Sequence, residues 1–303
     1  MSNVIWKELR QTFQRNDRMV YQLIAINVVV FLGLNLIQLP YLFTGQKINI
    51  ESFSSYLGLP ASLNAIVHQP WTIITFMFTH FDWKHILWNM LLLYWFGKIL
   101  SEFAGNKKIL PVYLLGGLCG GLFYVAAFNL LPAFSKSLND ATAWGASASV
   151  MAVVFAAVTL VPDYTMFLLL FGAVRIKWIA VVIVIIDVIS IPNSNPGGHI
   201  GHLGGALFGF FYVKQLQSGR DLGAGMNRVG DRLANLMKKK SDLKVSYRGK
   251  ERSTVSSFFS NKQSVQSSKE ERLDSILDKI SQSGYDSLSK EEKDFLFTIS
   301  KED

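Results

Sequence analysis

The sequence predicts an all-α membrane protein, a bundle of six transmembrane helices with a soluble C-terminal tail. Three observations predict it. Half of the 303 residues are apolar and only 17% are charged, whereas a soluble domain usually carries about 25% charged residues. The apolar residues fall in blocks between Val20 and Gln217. The last third of the chain is instead rich in Lys, Ser and Glu, so two regions meet two different solvents. The boundaries that follow are 1–19, an amphipathic N-terminal segment; 20–217, the membrane domain; 218–268, a polybasic and Ser-rich linker; and 269–303, a small helical hairpin.

The first block, Val20 to Leu39, is long enough to cross a hydrocarbon core of roughly 30 Å at about 1.5 Å per residue. It follows Lys7, Arg10, Arg15 and Arg18 as a signal peptide would, yet it is too long for a signal core and no small-residue cleavage pattern follows, so it stays as a helix. Upstream, Trp6, Leu9 and Phe13 share a helical face suited to the membrane surface. The connection Pro40 to Lys84 carries Phe53, Tyr56, Trp71, Phe76 and Phe78 and predicts a folded, partly inserted loop. Span two runs from Trp83 to Phe103 and span three from Ile109 to Leu131, where Gly116, Gly117, Gly120 and Gly121 allow close helix approach.

Span four begins at Ser147 and ends before Pro162, about 15 residues and too few to cross roughly 30 Å unaided. Residues Pro132 to Ala146 fill the missing depth without helix, which is tolerated only beneath protein or beside a water-filled cavity. A wet cavity above Ser147 is therefore expected. Reading Thr165 to Ile191 as one helix would put Arg175 and Lys177 in mid-membrane at roughly 2.5 to 3.5 kcal/mol each. We therefore split it into a connection, Pro162 to Lys177, and span five, Trp178 to Ile191. After the turn-rich Pro192 to Gly198, span six runs from His199 to Gln217.

Basic residues cluster at the N-terminus, at Lys98 to Lys108, at Arg175 with Lys177 and in the tail. By the positive-inside rule both termini face the cytoplasm, and the expected location is a bacterial cell (inner) membrane. The net charge of +8 lies beside apolar segments and suits the anionic inner leaflet, not nucleic acid. The single cysteine, Cys119, sits in an apolar block, so there is neither a disulfide framework nor a cysteine metal site. In the tail, Leu273, Ile276, Leu277 and Ile280 share a face, Gly284 breaks the helix, and Ser289 with Glu292 forms a capping box for a second. So small a hairpin needs a protein partner to be stable.

With six spans, the second, fourth and sixth begin on the same face of the membrane, and His85, Ser147 and His202 stand at their starts. His85 and Asn89 share one face of span two, being four residues apart. His202, Gly205 and Gly209 share a face of span six, and the two glycines permit close approach to a neighbour such as span four. A hydroxyl needs a base to become a good nucleophile, and a neutral imidazole has a suitable pKa. Ser147 and His202 are thus the candidate catalytic pair. The backbone N–H of Ser147, His85 and Asn89 are candidate donors to a developing oxyanion. No acidic residue is evidently placed to orient His202, which predicts a dyad. Asp187, near the outer end of span five, is expected to bond to backbone or loop groups. His199 is the rival base, while His80 and His68 are expected as loop histidines that hydrogen-bond or face water.

Gly145-Ala146-Ser147, His85-Ile86-Leu87-Trp88-Asn89 and His202-Leu203-Gly204-Gly205-Ala206-Leu207-Phe208-Gly209 resemble the G-x-S, H-x-x-x-N and H-x-x-G-x-x-x-G motifs of the rhomboid family of intramembrane serine proteases. The resemblance covers Val20 to Gln217. It implies a rhomboid-like bundle that cleaves single-span or other membrane protein substrates near the bilayer surface, with no metal and no cofactor. It also implies Ser147 and His202 as catalytic and His85 and Asn89 at the oxyanion. Two positions depart from the family pattern: Ala148 follows the serine where many relatives have Gly, and Trp71-Thr72 stands where many have Trp-Arg. The alternatives are a catalytically silent rhomboid-like protein that binds membrane clients, a metal-dependent membrane enzyme and a transporter. The metal reading lacks an H-E-x-x-H pattern, and the transporter lacks clear repeat symmetry.

Overall fold

The computed structural model describes residues 18–44, 55–168, 171–237 and 263–299. The predicted surface helix around Trp6, Leu9 and Phe13 lies outside them, as do most of the Ser-rich linker and part of the first loop. The chain divides into two compact units, Met1–Lys239 and Lys240–Asp303.

In the first unit, helix α1 (Arg18–Thr44) runs past the predicted end at Leu39 and through Pro40. Two of the described helical stretches, Arg18–Ile37 and Asn106–Leu130, are long and apolar enough by themselves to cross a bilayer. The first loop folds on itself: strand β1 (Leu59–Pro60), short helices α2 (Leu63–His68) and α3 (Thr72–Thr75), then a tight turn at Phe76–Phe78. Threonine hydroxyls hold it, Thr72 Oγ1 donating to Gln69 C=O at 2.6 Å and Thr75 Oγ1 to Leu57 C=O at 2.7 Å. Trp71 Nε1 donates to Tyr56 C=O at 2.8 Å. Thr72, where many relatives have Arg, is thus spent on local closure of the loop.

Helix α4 (Trp83–Ala104) starts where Asp82 accepts from the His85 N–H at 2.8 Å, a side-chain cap for one of the helix's unpaired first donors. Helix α5 (Ile109–Leu130) follows. Its Tyr113 hydroxyl donates to Met77 C=O at 2.8 Å and accepts from Asn27 Nδ2 at 3.1 Å, tying α1, the first loop and α5 together at full burial. The stretch after α5 is largely irregular, and its strand β2 (Thr142–Ala143) pairs antiparallel with β1, Leu59 opposite Ala143 and Pro60 opposite Thr142.

Helix α6 (Ser147–Leu160) is short and central, with Val150 to Val154, Ala156 and Ala157 buried except where Phe155 interrupts them. The split of the next stretch is what the structure adopts. Strands β3 (Thr165–Leu168) and β4 (Gly172–Arg175) form a hairpin, and Asp163 takes both Arg175, at 3.4 Å, and Lys177, at 2.6 Å. Lysine contacts hold the Asp163 carboxyl below the usual range, the Lys177 hydrogen bond first. Helix α7 (Ile176–Ser190) then carries Val182, Ile185, Ile186 and Ile189 outward, an apolar exterior suited to lipid. Helix α8 (Pro196–Gln217) begins three residues before the predicted His199, because Asn195 caps it through Gly198 N–H and Pro196 suits a first helical position. Glycines make the α6–α8 contact possible: a Cβ on Gly205 would lie 2.1 Å from Ala148 O, and one on Gly209 2.1 Å from Ala152 O.

Beyond Gln217, helix α9 (Ala224–Met237) occupies part of the stretch expected as linker, since Met226, Val229, Leu233 and Leu236 recur at helical spacing. The second unit holds α10 (Gln263–Ser283) and α11 (Lys290–Ile299). The capping box forms, Ser289 N–H donating to Glu292 Oε2 at 2.7 Å and Glu292 N–H to Ser289 Oγ at 3.3 Å. Lys279 reaches Glu292 at 2.9 Å, and Gly284 turns the chain with φ of +77°.

Candidate active site

Gly145-Ala146-Ser147 is fixed before any chemistry is considered. Gly145 N–H donates to Phe76 C=O at 2.9 Å and Ala146 N–H to His80 Nε2 at 3.1 Å. Gly145 adopts φ of +116°, and a Cβ there would lie 2.5 Å from His85 Cε1, so the position needs glycine for both its backbone and its neighbour. His80 is fully buried in the loop before α4, and burial, with His85 beside it, pushes its pKa down to about 3. It is therefore neutral near pH 7 and can accept. A hydrogen-bonded loop histidine is what the sequence predicts here, and its partner is the backbone just ahead of Ser147, which no sequence spacing marks.

Ser147 opens α6. Its backbone N–H and that of Ala148 belong to the first helical turn, whose donors have no intrahelical acceptor. The Ala148 methyl sits against Gly120, where a Cβ would come within 2.5 Å of it, so a glycine on α5 accommodates the alanine that follows Ser147.

Ser147, His85 and His202 line one cavity of about 400 Å³, walled also by Tyr124, Trp144 and Gly145. The three come from the N-terminal parts of α6, α4 and α8, and no hydrogen bond joins Ser147 Oγ to His202 among the described residues. Such bonds often tighten only when substrate enters. Asn89 is not brought to the cavity wall. One turn below His85, it donates to His85 C=O at 2.9 Å and lies 3.4 Å from His80 Nε2, at 5% exposure.

The expectation that no acid orients His202 is corrected by Asp187. From α7 its Oδ1 stands 2.9 Å from His202 Nδ1 and 2.7 Å from His199 Nδ1. Asp187 does not bond to backbone or loop groups as expected; it takes both histidines of α8. His199 and His202 are three residues apart on α8 and share one face, and α7 is rotated so that Asp187, one of its few buried residues, reaches both. The nitrogen and oxygen donors of Asp187, His199 and His202 lie within 4.8 Å of one another, near enough to hold a metal ion. Their Nδ1 atoms, however, converge on one carboxylate oxygen at hydrogen-bond distances. His68 contacts Asn64 C=O at 2.8 Å, a loop histidine as expected.

A helix N-terminus carrying a serine thus lines one cavity with two imidazoles, in a bundle whose helices present apolar exteriors. Residues 67–217 match the Rhomboid domain model, and the chain belongs to the rhomboid family as a mainly helical membrane protein. Residues 261–302 match a separate family of unknown function (DUF6576). Among curated relatives, the chain is 28% identical over 225 residues to RHOMBOID-like protein 12, mitochondrial, of Arabidopsis thaliana, covering 71% of this chain and 63% of that protein. It is 30% identical over 200 residues to the presenilin-associated rhomboid-like protein, mitochondrial, of Homo sapiens, covering 65% of this chain and 48% of that one. The Danio rerio presenilin-associated rhomboid-like protein A, mitochondrial, is 27% identical over 143 residues, or 45% and 35% of the two chains. The chain thus spans less than two thirds of the length of these relatives. These relatives are named as mitochondrial proteins, which overturns the expected bacterial cell membrane. Basic residues in short loops distinguish the two faces of a bilayer and do not say which bilayer it is.

Proposed function

We propose that the chain is an intramembrane serine endopeptidase that hydrolyses a peptide bond in membrane-spanning protein substrates, with six spans formed by α1, α4, α5, α6, α7 and α8. The observation that carries this reading is that Ser147 and His202, from two different helices, line the same cavity beside His85. His202 takes the Ser147 hydroxyl proton as Oγ attacks the scissile carbonyl. The resulting oxyanion is met by the Ser147 backbone N–H and by His85, whose side chain faces the cavity. His202 then gives its proton to the leaving amine, and an ester to Ser147 remains. Water, deprotonated by His202, attacks the ester and releases the new C-terminus with Ser147 restored. Asn89 supports the oxyanion side by holding the His85 carbonyl and His80. The relatives' names guide which membrane this is.

The test is cleavage of a model single-span substrate by purified protein in detergent. Ser147→Ala and His202→Ala should each abolish it, a chelator should leave it intact, and a fluorophosphonate should label only protein that retains Ser147. Cleavage that persists in Ser147→Ala refutes the reading. In the silent client-binding alternative the same cavity holds a membrane client without cutting it, and a wild type that binds substrate without cleavage would establish that alternative.

A further inference from the structure

Asp187 is a carboxylate in an apolar helix, 5% exposed, with Oδ1 shared by two imidazoles and Oδ2 without a partner among the described residues. On α7 it is one of three buried residues, the others being Ile176 and Ala180 near the opposite end. An ionisable side chain in such a place is costly and is a functional candidate on that ground. An ionised carboxylate only accepts hydrogen bonds, so an imidazole nitrogen held against it must carry the proton. With Nδ1 of His202 protonated, the lone pair of the neutral ring lies on Nε2. The His202 ring is partly exposed, at 22%, and lines the cavity that holds Ser147.

We propose that Asp187 is the positioning residue of the site, locking His202 in the Nδ1–H form so that Nε2 is the base for Ser147, with His199 holding the same carboxylate oxygen in place from one turn earlier on α8. This rests on the Ser147–His202 reading above and extends it to a third helix. The ring of His202 meets Asp187 from α7 and His199 from its own helix, shares its cavity with His85 from α4, and no other charged or titratable side chain contacts that cluster among the hydrogen bonds and ion pairs described. A single oxygen accepting from both rings fixes the carboxylate in rotation, which one bond alone would not do. A purely structural tie between α7 and α8 would set the same tautomer but would not need the His202 ring to line the cavity that holds Ser147.

Two measurements test it together. Nitrogen-15 NMR of histidine-labelled wild type in detergent, assigned with His199→Gln and His202→Gln, should find Nδ1 of His202 protonated and Nε2 bare. Finding the proton on Nε2 overturns the proposal, whether or not the protein cuts anything. In the cleavage assay Asp187→Asn should lower kcat by about a hundredfold or more, because an amide can donate to Nδ1 and favour the inactive tautomer, while KM changes by less than about threefold. Asp187→Glu should recover part of that loss. A wild-type kcat in folded Asp187→Asn overturns the proposal; if that variant does not fold, the wild-type spectrum decides. Bound zinc, with activity lost to a chelator and restored by zinc, would overturn it in favour of a metal site on the same three residues. Failure of Ser147→Ala to abolish cleavage would instead sink the serine reading and leave the tautomer result standing.

Discussion

Gly205→Ala should separate the two helices that carry the candidate serine and base. The Cβ would lie 2.1 Å from Ala148 O, 2.9 Å from its carbonyl carbon and 3.2 Å from its Cα. An unstrained carbon-to-oxygen approach is roughly 3.3 Å, so about 1 Å must be found. All three obstructing atoms are backbone, and no rotamer change can supply it. Ala148 follows Ser147 and Gly205 lies one turn after His202, so the displacement falls on the pair itself. Overpacking of this kind costs roughly 1 to 3 kcal/mol, and a misplacement of about 1 Å at reacting groups costs about a hundredfold in rate. Gly209→Ala meets Ala152 O at the same 2.1 Å but one turn further from the pair; it should lose similar stability and less activity. Gly33→Ala, with nothing within 4 Å, should keep the wild-type rate and gain up to about 1 kcal/mol of helix propensity. Thermal unfolding in detergent and cleavage kinetics on the three variants read these outcomes. Gly205→Ala with wild-type kcat and Tm would refute the claim that backbone contact between α6 and α8 sets the site.

His80→Phe removes the acceptor of the buried Ala146 N–H and should cost roughly 1 to 3 kcal/mol and lower kcat, whereas His80→Gln, which keeps an acceptor, should recover most of both; equal variants would deny His80 its role. Gly145→Ala, forced into positive φ against His85, should lose most cleavage while the protein still folds, as shown by a retained circular dichroism spectrum with a lowered Tm. In the turn that follows α8, burial would raise the Asp221 carboxyl, but hydrogen bonds from Lys108, Gly223 N–H and Tyr212 outweigh it and hold it below the usual range. A depressed folded-state pKa stabilises above the unfolded value and is lost as pH falls through the folded one. Tm should therefore drop below about pH 4, and Asp221→Asn should have a lower Tm at neutral pH with a flatter acid limb; an unchanged limb would remove Asp221 from that linkage.

The helices that bear the site were legible because lipid imposes a length and a composition on each of them, so block boundaries fell within a few residues of the observed ones. The short α6 was legible for the same reason: a helix bounded by Gly145 and Pro162 leaves depth to be filled by irregular chain. Parity then brought His85, Ser147 and His202 to one face, and the structure has all three on one cavity wall. Rotation about a helix axis was not legible where composition is uniform. Helix α7 is apolar on every side, so no periodicity marks which face turns inward, and only Ile176, Ala180 and Asp187 do so. Asn89 shows the converse limit: its spacing to His85 was right, yet the four-residue offset that puts two side chains on one face also lets the amide donate back to the His85 carbonyl. What periodicity hid at Asp187, chemistry had marked, since placing a carboxylate within an apolar span costs roughly 2.5 to 3.5 kcal/mol and calls for a partner that offsets it. Its partners were not legible for the same reason as the rotation of α7: His199 and His202 share a face of α8 by their three-residue spacing, but nothing in the sequence says that α7 turns Asp187 toward that face.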